Sequence, residues 1–328
     1  AAQGVECYVL LDALGAGPMD RTLIETMTNA GAQVVFYNRV TFRNFLHYYQ
    51  RTHRKILVVD RIVGFNGGVG IADEWLGDAQ NEDEWHEFHF RVTGPAVAQI
   101  FNAFAENWNE VDTCENPFPF LDGSEEIELP IRPIADSDDC SGAFEDQDMQ
   151  CFYSSPREGH FESYELYKSA IESAKSRIYI ENAYFIPNAE MLELLSAADE
   201  RGVEVKVILP DFHNDSWIAR CRSRAIWGEL LQRGVELYRY KPSMTHSKFM
   251  IVDDDWVTAG SVNFDTISFK VNEESNLNIF GKEFAGRMTE LFEFDLSRSR
   301  KISMEEWTGR SVFQRLEEMA AKAVPVPA

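Results

Sequence analysis

The feature that most constrains this 328-residue chain is an internal duplication. Two copies of one pattern must build two copies of one structural unit, which removes most alternative folds at once. Residues 4–11 (GVECYVLL) match residues 202–209 (GVEVKVIL), each rich in strand formers and bounded by turn residues. Residues 29–38 (NAGAQVVFYN) match 232–241 (QRGVELYRYK), a helix end with a glycine near its C-cap and then a strand. Residues 52–70 (THRKILVVDRIVGFNGGVG) lie over 245–263 (THSKFMIVDDDWVTAGSVN). Residues 90–107 and 277–294 each give a strand, a glycine (Gly94, Gly281) and an amphipathic helix.

The copies are unequal. A helix over 164–174, a strand over 177–183 and a helix over 189–201 precede Gly202, whereas the first copy starts directly at Gly4. The expectation is a first half short of one helix-strand-helix unit at its N-terminus, since a sheet lacking an internal strand leaves backbone groups unpaired. The chain also begins without Met. Strands alternating with helices predict an α/β fold: two α/β/α sandwich halves about a pseudo-two-fold axis, each with a mixed or mostly parallel sheet and helices on both faces. The expected layout is a first half over 1–110, an acidic connector over 111–150, a second half over 151–300 and a C-terminal helix and tail over 301–328. In that tail Val312, Leu316 and Met319 share one helical face.

Thirty-one Lys and Arg against 54 Asp and Glu give a net charge of −23, a field that repels polyanions and argues against nucleic acid as a partner. Acid concentrates between Glu106 and Asp148, countered only by Arg132, and with Pro117, Pro119, Pro130 and Pro133 this reads as a solvated connector. A surface tuned to high salt is the alternative reading of the same charge. Cys7, Cys114, Cys140, Cys151 and Cys221 form no C-x-x-C pair and are expected to be free thiols. No run approaches the roughly 20 apolar residues of a membrane span, and no signal peptide is visible.

Each copy carries His-x-Lys, four residues, then Asp: His53, Lys55 and Asp60, and again His246, Lys248 and Asp253. On a strand, residues two apart point the same way, so one imidazole and one ammonium face one space. Residues 56–59 and 249–252 read as strands buried on both faces. Small-residue turns follow, Gly67-Gly68-Val69-Gly70 and Gly260-Ser261-Val262-Asn263, where backbone can approach a ligand closely. His plus Lys, twice, with no carboxylate or Cys at metal-ligand spacing, suits phosphoryl chemistry without a metal or other cofactor. Lysines would neutralise charge on the non-bridging oxygens, one imidazole would attack phosphorus and the other protonate the departing oxygen. Each imidazole needs an acidic partner to fix its tautomer. Glu87 and Glu274, at matching places in the two copies, are the candidates.

Two His-x-Lys-x4-Asp motifs, the second continuing as x6-Gly-Ser-x-Asn, resemble the phospholipase D superfamily. The Gly-Gly turn after residues 52–60, Asp73-Glu74-Trp75, Gly94-Pro95-Ala96-Val97, the run from Met244 to Lys248 and the helix from Phe313 are most similar to bacterial cardiolipin synthases. The resemblance spans the chain outside the acidic connector. It implies a bilobal fold with the site between the halves and a phosphohistidine intermediate. His53 and His246 would be nucleophile and acid in an order the residues leave open, leaning to His53 as nucleophile. Lys55, Lys248 and Asn263 would hold the phosphate, with Asp60 and Asp253 bracing the motif turns. Gly70 departs from the pattern, which has Asn there. The implied reaction joins two phosphatidylglycerol molecules into cardiolipin and releases glycerol. The implied setting is the bacterial inner membrane, with any membrane helices lying ahead of residue 1.

Other readings remain beside this one. The same residues could pass the phosphatidyl group to water as a phospholipase D, cleave nucleic-acid phosphodiesters, or sit in a non-enzymatic membrane-binding module. Trp75, Trp85, Phe118, Phe120 and Trp217 read equally as a lipid-facing rim or as packing. Arg39, Arg43, Arg51 and Arg54, with Phe42, Phe45, Tyr48 and Tyr49, read as an insertion that meets anionic headgroups at a membrane surface, against a plain connecting helix. His47, His86, His160 and His213 are read as packing or surface residues, and His89, two beyond Glu87, as lining the pocket.

Overall fold

The computed structural model describes residues 1–39, 50–111, 144–211 and 213–324. The first half runs β1 (Tyr8–Asp12), α1 (Arg21–Asn29), β2 (Gln33–Tyr37), β3 (Ile56–Val59), β4 (Val63–Gly67), β5 (His89–Thr93) and α2 (Ala96–Glu110). The second runs β6 (Asp148–Ser154), α3 (Glu162–Ser173), β7 (Arg177–Asn182), α4 (Ala189–Glu200), β8 (Glu204–Pro210), α5 (Trp217–Gln232), β9 (Glu236–Tyr240), β10 (Lys248–Val252), β11 (Trp256–Gly260), α6 (Thr266–Lys270), β12 (Glu274–Phe280) and α7 (Lys282–Ser297). A short β13 (Ser299–Lys301), α8 (Met304–Thr308) and α9 (Val312–Ala323) follow.

The α/β class holds, but the second-half sheet is mixed rather than mostly parallel. Its order is β13-β9-β8-β7-β10-β11-β12-β6. Only β7, β8 and β9 are parallel, because α4 and α5 return the chain to the same edge, while the tight turn between β10 and β11 forces antiparallel pairing. The first half repeats part of this plan, with β1 and β2 parallel and β3, β4 and β5 antiparallel. β1 answers to β8, and β3 to β10. The place that β7 fills between those two has no occupant among the described residues, so the first-half sheet lies in two pieces. This splits the expectation for the motif strands. β10 is buried on both faces, whereas β3 leaves Leu57 and Val59 in solvent.

Neither half keeps its core to itself. The stripe of Val97, Ile100, Phe101, Phe104 and Trp108 on α2 follows helical spacing, and α2 starts after Gly94 turns the chain at φ +86. Val97 and Ile100 are fully buried in one cluster with Tyr179, Phe249, Leu277, Met288 and Phe292 of the second half. Truncating a residue such as Ile100 to Ala costs about 2–5 kcal/mol by general experience with buried aliphatics. A reciprocal contact locks the halves. Thr52 bridges Glu273 in parallel, and His86 bridges Thr245 in parallel, the same contact made twice with the roles of the halves exchanged.

The C-terminal segment is two helices where one was expected. α8 ends at Gly309, and Ser311 opens α9 with a capping box closed by Gln314. α9 rests on α5 through Glu318, which accepts from Arg224 at 2.7 Å and from Arg310 at 3.0 Å. Val312, Leu316 and Met319 face solvent. Cys7, Cys151 and Cys221 are free thiols, whereas Cys114, Cys140, nearly all of the acidic connector, Phe118, Phe120, His47 and the stretch with Phe42, Arg43, Phe45, Tyr48 and Tyr49 lie outside the described residues. No helix among the described residues is long and apolar enough to cross a membrane.

Candidate active site

The motif histidines precede their strands by three and two residues, at the ends of β3 and β10 that point toward the seam. The backbone fixes them there. His53 N–H donates to the carbonyl of Glu273 at 2.8 Å, and His246 N–H to that of His86 at 2.7 Å. The next residue along each partner segment is Glu274 or Glu87, so pairing the backbones delivers a carboxylate to each imidazole.

The pairing is crossed. His53 Nδ1 meets both oxygens of Glu274, at 2.9 and 3.1 Å, and His246 Nδ1 meets Glu87 at 2.7 Å. A carboxylate only accepts, so Nδ1 carries the proton in each ring and Nε2 keeps its lone pair. Neither half supplies a complete imidazole-carboxylate pair alone. Lys248 Nζ lies 2.9 Å from His246 Nδ1, 3.3 Å from Glu87 and bonds the His246 carbonyl. Lys55 bonds the carbonyl of His53 at 3.0 Å.

Burial and like charge set the electrostatics. Burial and the neighbouring Lys248 push the Lys55 ammonium down to about 7. Burial, then Lys248, push His246 down to about 3, and burial lowers His53 against the pull of Glu274. Both glutamates stay below the usual carboxylate range despite burial, Glu87 through Lys248 and the bond from His246, Glu274 through His53, Lys55 and Ser261. Each motif group thus feels the motif groups of the other half. Two crowded lysines and two imidazoles lowered by burial share one site, an arrangement that an anion relieves.

The turns after each motif do something other than expose backbone. A Cβ on Gly67 would lie 2.5 Å from the carbonyl oxygen of Phe88 and 2.6 Å from His89 Nδ1, and one on Gly68 would lie 2.0 Å from Glu87 Oε2, so these glycines give room to the protein's own groups. Where the first half has Gly68, the second has Ser261, whose hydroxyl donates to Glu274 at 2.6 Å. Gly70 stands against the Trp75 ring, at 2.9 Å from a Cβ placed there. That tryptophan packs edge-on to His246 with ring centres 5.5 Å apart, joined by Trp85 at 5.2 Å and Tyr184 at 6.2 Å. Asn at position 70 would displace Trp75, which gives the departure at this position a physical reason. Asn263 is buried, and its side-chain oxygen has no partner among the described residues.

Asp253 accepts from the backbone N–H groups of Lys175, Ser176 and Arg177 and from the Ser176 hydroxyl, tying the β10–β11 turn to the start of β7. Asp60 makes no such bonds to described residues. His89 faces Glu87 and Lys55 closely enough to feel both charges, and its Nδ1 is buried without a hydrogen-bond partner among the described residues. Trp217 is exposed on the first turn of α5. Arg54 contradicts the headgroup reading: it is buried, donating to the Ala103 and Ser154 carbonyls, Glu106 and Ser155, and so bolts α2 to β6. Arg51 pairs with Asp12 at 2.9 Å, and Arg39 lies over Phe36.

Sequence reasoning missed three contributors. Tyr184 carried no motif. Ser261 lay inside the quoted turn, and its alignment with Gly68 could have flagged it. His86 was read as packing, yet it occupies the position before Glu87 that Glu273 occupies before Glu274. A polar residue before each candidate glutamate was the available signal.

A family model described as "Cardiolipin synthase, PLD-like domain" matches residues 167–296. The chain is 30% identical over 325 residues to cardiolipin synthase A of Pseudomonas putida, covering 99% of this chain and 64% of that protein. It is 30% identical over 323 residues to a cardiolipin synthase of Alkalihalophilus pseudofirmus, covering 98% of this chain and 61% of the relative. The chain therefore spans less than two thirds of these relatives. Phosphatidylserine synthase of Haemophilus influenzae shares the fold, with a TM-score of 0.63 at 12% identity over 98% of this chain and 88% of that one. The duplicated motifs and the α/β architecture agree with these similarities: residues 167–296 match a phospholipase D-like domain, and the chain along its length is similar to cardiolipin synthases.

Proposed function

We propose that the chain is an enzyme that transfers a phosphatidyl group between phosphatidylglycerol molecules at a membrane surface, making cardiolipin and releasing glycerol. The observation that carries this reading is the crossed pairing, which leaves two imidazoles with bare Nε2 atoms beside two buried lysines.

His53 is the proposed nucleophile. Its side chain is the more open of the two, 16% exposed against 6% for His246. Nε2 attacks phosphorus, the bond from phosphorus to the glycerol oxygen breaks, and His246 gives its Nε2 proton to that oxygen. His246 then takes the proton of the hydroxyl on a second phosphatidylglycerol. That oxygen bonds phosphorus as the phosphorus–nitrogen bond breaks. Each step exchanges one bond to phosphorus for another, so the reaction is reversible and glycerol inhibits. Burial first, then the Lys248 charge, lowers His246; an anionic phosphodiester between Lys55 and Lys248 offsets the lysine part and so favours the protonated imidazole that the acid step needs. Trp75, Trp85 and Tyr184 crowd the same imidazole and keep water from the phosphatidyl-enzyme, which favours transfer over hydrolysis.

The test is product analysis with phosphatidylglycerol vesicles. Cardiolipin with equimolar glycerol supports the reading. Phosphatidic acid as the main product makes water the acceptor and replaces transferase with phospholipase.

A further inference from the structure

Behind Glu87 lies a buried group of charges that the reaction above does not use. His86 Nε2 lies 2.9 Å from Asp295 Oδ2 in the last turn of α7 and 3.8 Å from Glu181 Oε1 on β7. Arg298, the C-cap of α7, donates to the other oxygen of Asp295 at 2.5 Å. The imidazole stacks on Tyr240 of β9, ring centres 5.2 Å apart, and meets Phe88 edge-on. Thr245, the residue before His246, donates its hydroxyl to Glu181.

Charge counting explains the set. Two carboxylates face one guanidinium, and one further proton makes the group neutral. Protonated His86 supplies it, donating from Nε2 toward the carboxylates. Burial alone would lower this imidazole, yet its bond to Asp295 and the charge of Glu181 raise it, and burial with Asp295 raises Glu181 as well, so the one extra proton stays within the set. The set is thus already balanced and calls for no metal ion.

Its position gives it a use. His86 N–H donates to the Met244 carbonyl at 2.8 Å while its own carbonyl accepts from His246 N–H at 2.7 Å. One residue is therefore pinned through its side chain to α7 and β7 of the second half, through its backbone to the catalytic segment, and covalently to Glu87. The other imidazole has its own version of this arrangement. Glu273, before Glu274, is held by the Tyr37 hydroxyl at 2.6 Å, by Asn107 and by the Arg54 guanidinium at 3.4 Å.

Building on the transferase reading, we propose that His86 is a positioning residue: its ion-paired imidazole, clamped by Asp295 and Glu181, fixes the backbone that holds Glu87 against His246 Nδ1. It touches no substrate and acts through the orientation of His246. His86→Phe keeps the ring on Tyr240 and removes the donor. The expected result is a roughly ten- to hundredfold fall in kcat with KM within twofold, the scale of a small misplacement in an active site. The downfield proton resonance of His246 Nδ1–H, readable without substrate, should shift or vanish. His86→Gln, with an amide donor that reaches Asp295, restores most of both signals. His86→Asn, too short to reach, does not, and stands in should the Phe variant fail to fold. The proposal is overturned if the Phe variant keeps wild-type kcat and an unmoved His246 resonance, or if kcat, KM and melting temperature decline together with no recovery in His86→Gln. Because the resonance needs no turnover, a wrong substrate assignment leaves this test intact.

Discussion

The two halves start from one sequence pattern and arrive at different surroundings for the same imidazole. His53 sits near the opening, its Glu274 backed by the Ser261 hydroxyl, on a strand whose outer side is bare. His246 sits deeper, its Glu87 seated in the space left by Gly68, with three aromatic rings around it and β10 buried on both faces. A duplication supplies two identical reagents, and the proposed transfer needs two different ones. The differences at positions 68 against 261 and 70 against 263 are small changes that separate them.

The comparison can be broken most forcefully at the imidazoles. His53→Ala and His246→Ala should each lower turnover by roughly four orders of magnitude, as loss of a nucleophile or its proton partner does. Steady-state rates on phosphatidylglycerol vesicles check this, and appreciable turnover in either variant would undo the shared site. Next come the crossed carboxylates. Glu274→Gln and Glu87→Gln should each cost about a thousandfold in kcat, since an amide no longer selects the tautomer with Nδ1 protonated. The double variant His53→Ala with Glu274→Gln should be no slower than His53→Ala alone, because both changes cripple the same pair.

A smaller effect tests the aromatic wall. Gly70→Asn should displace Trp75 and raise the phosphatidic acid to cardiolipin ratio several-fold, with total turnover changed less than the ratio. The lysines give a pH signature. Lys55 is charged below about 7 and loses that charge as pH rises through it, so kcat/KM for the anionic substrate should fall above neutral pH. Lys55→Arg should flatten that limb, read from pH–rate profiles. Smallest is the contrast between the motif aspartates. Asp253→Ala removes an acceptor for four donors and should cost about 1–3 kcal/mol of stability, whereas Asp60→Ala should stay within about 0.5 kcal/mol, both read by chemical denaturation.

The sequence carried what repetition and spacing encode. The motif pairs, the order of strands and helices and the two glutamates were legible because a duplicated pattern marks the positions that matter. The crossing of the pairs was not, since His53 lies 221 residues from Glu274 and nothing local says which glutamate it meets. Arg54 looked like part of a basic surface because its neighbours in sequence are basic, yet tertiary packing turned it inward to Glu106 and Ser155. α9 showed an apolar face that sequence alone would send to the core, while the structure docks it through Glu318 and Arg224. The small-residue turns suggested room for a ligand, and the room is taken by Glu87, His89 and Trp75.

The proposed transfer runs through a covalent phosphatidyl-histidine in a site made by both halves. The most direct measurement is to react the His246→Ala variant with phosphatidylglycerol labelled at phosphorus, quench in base to preserve phosphohistidine, and map the labelled peptide. Label is expected on His53, and none in the His53→Ala variant. Label on another residue, or turnover by the intact protein with no label in either single variant, would contradict it.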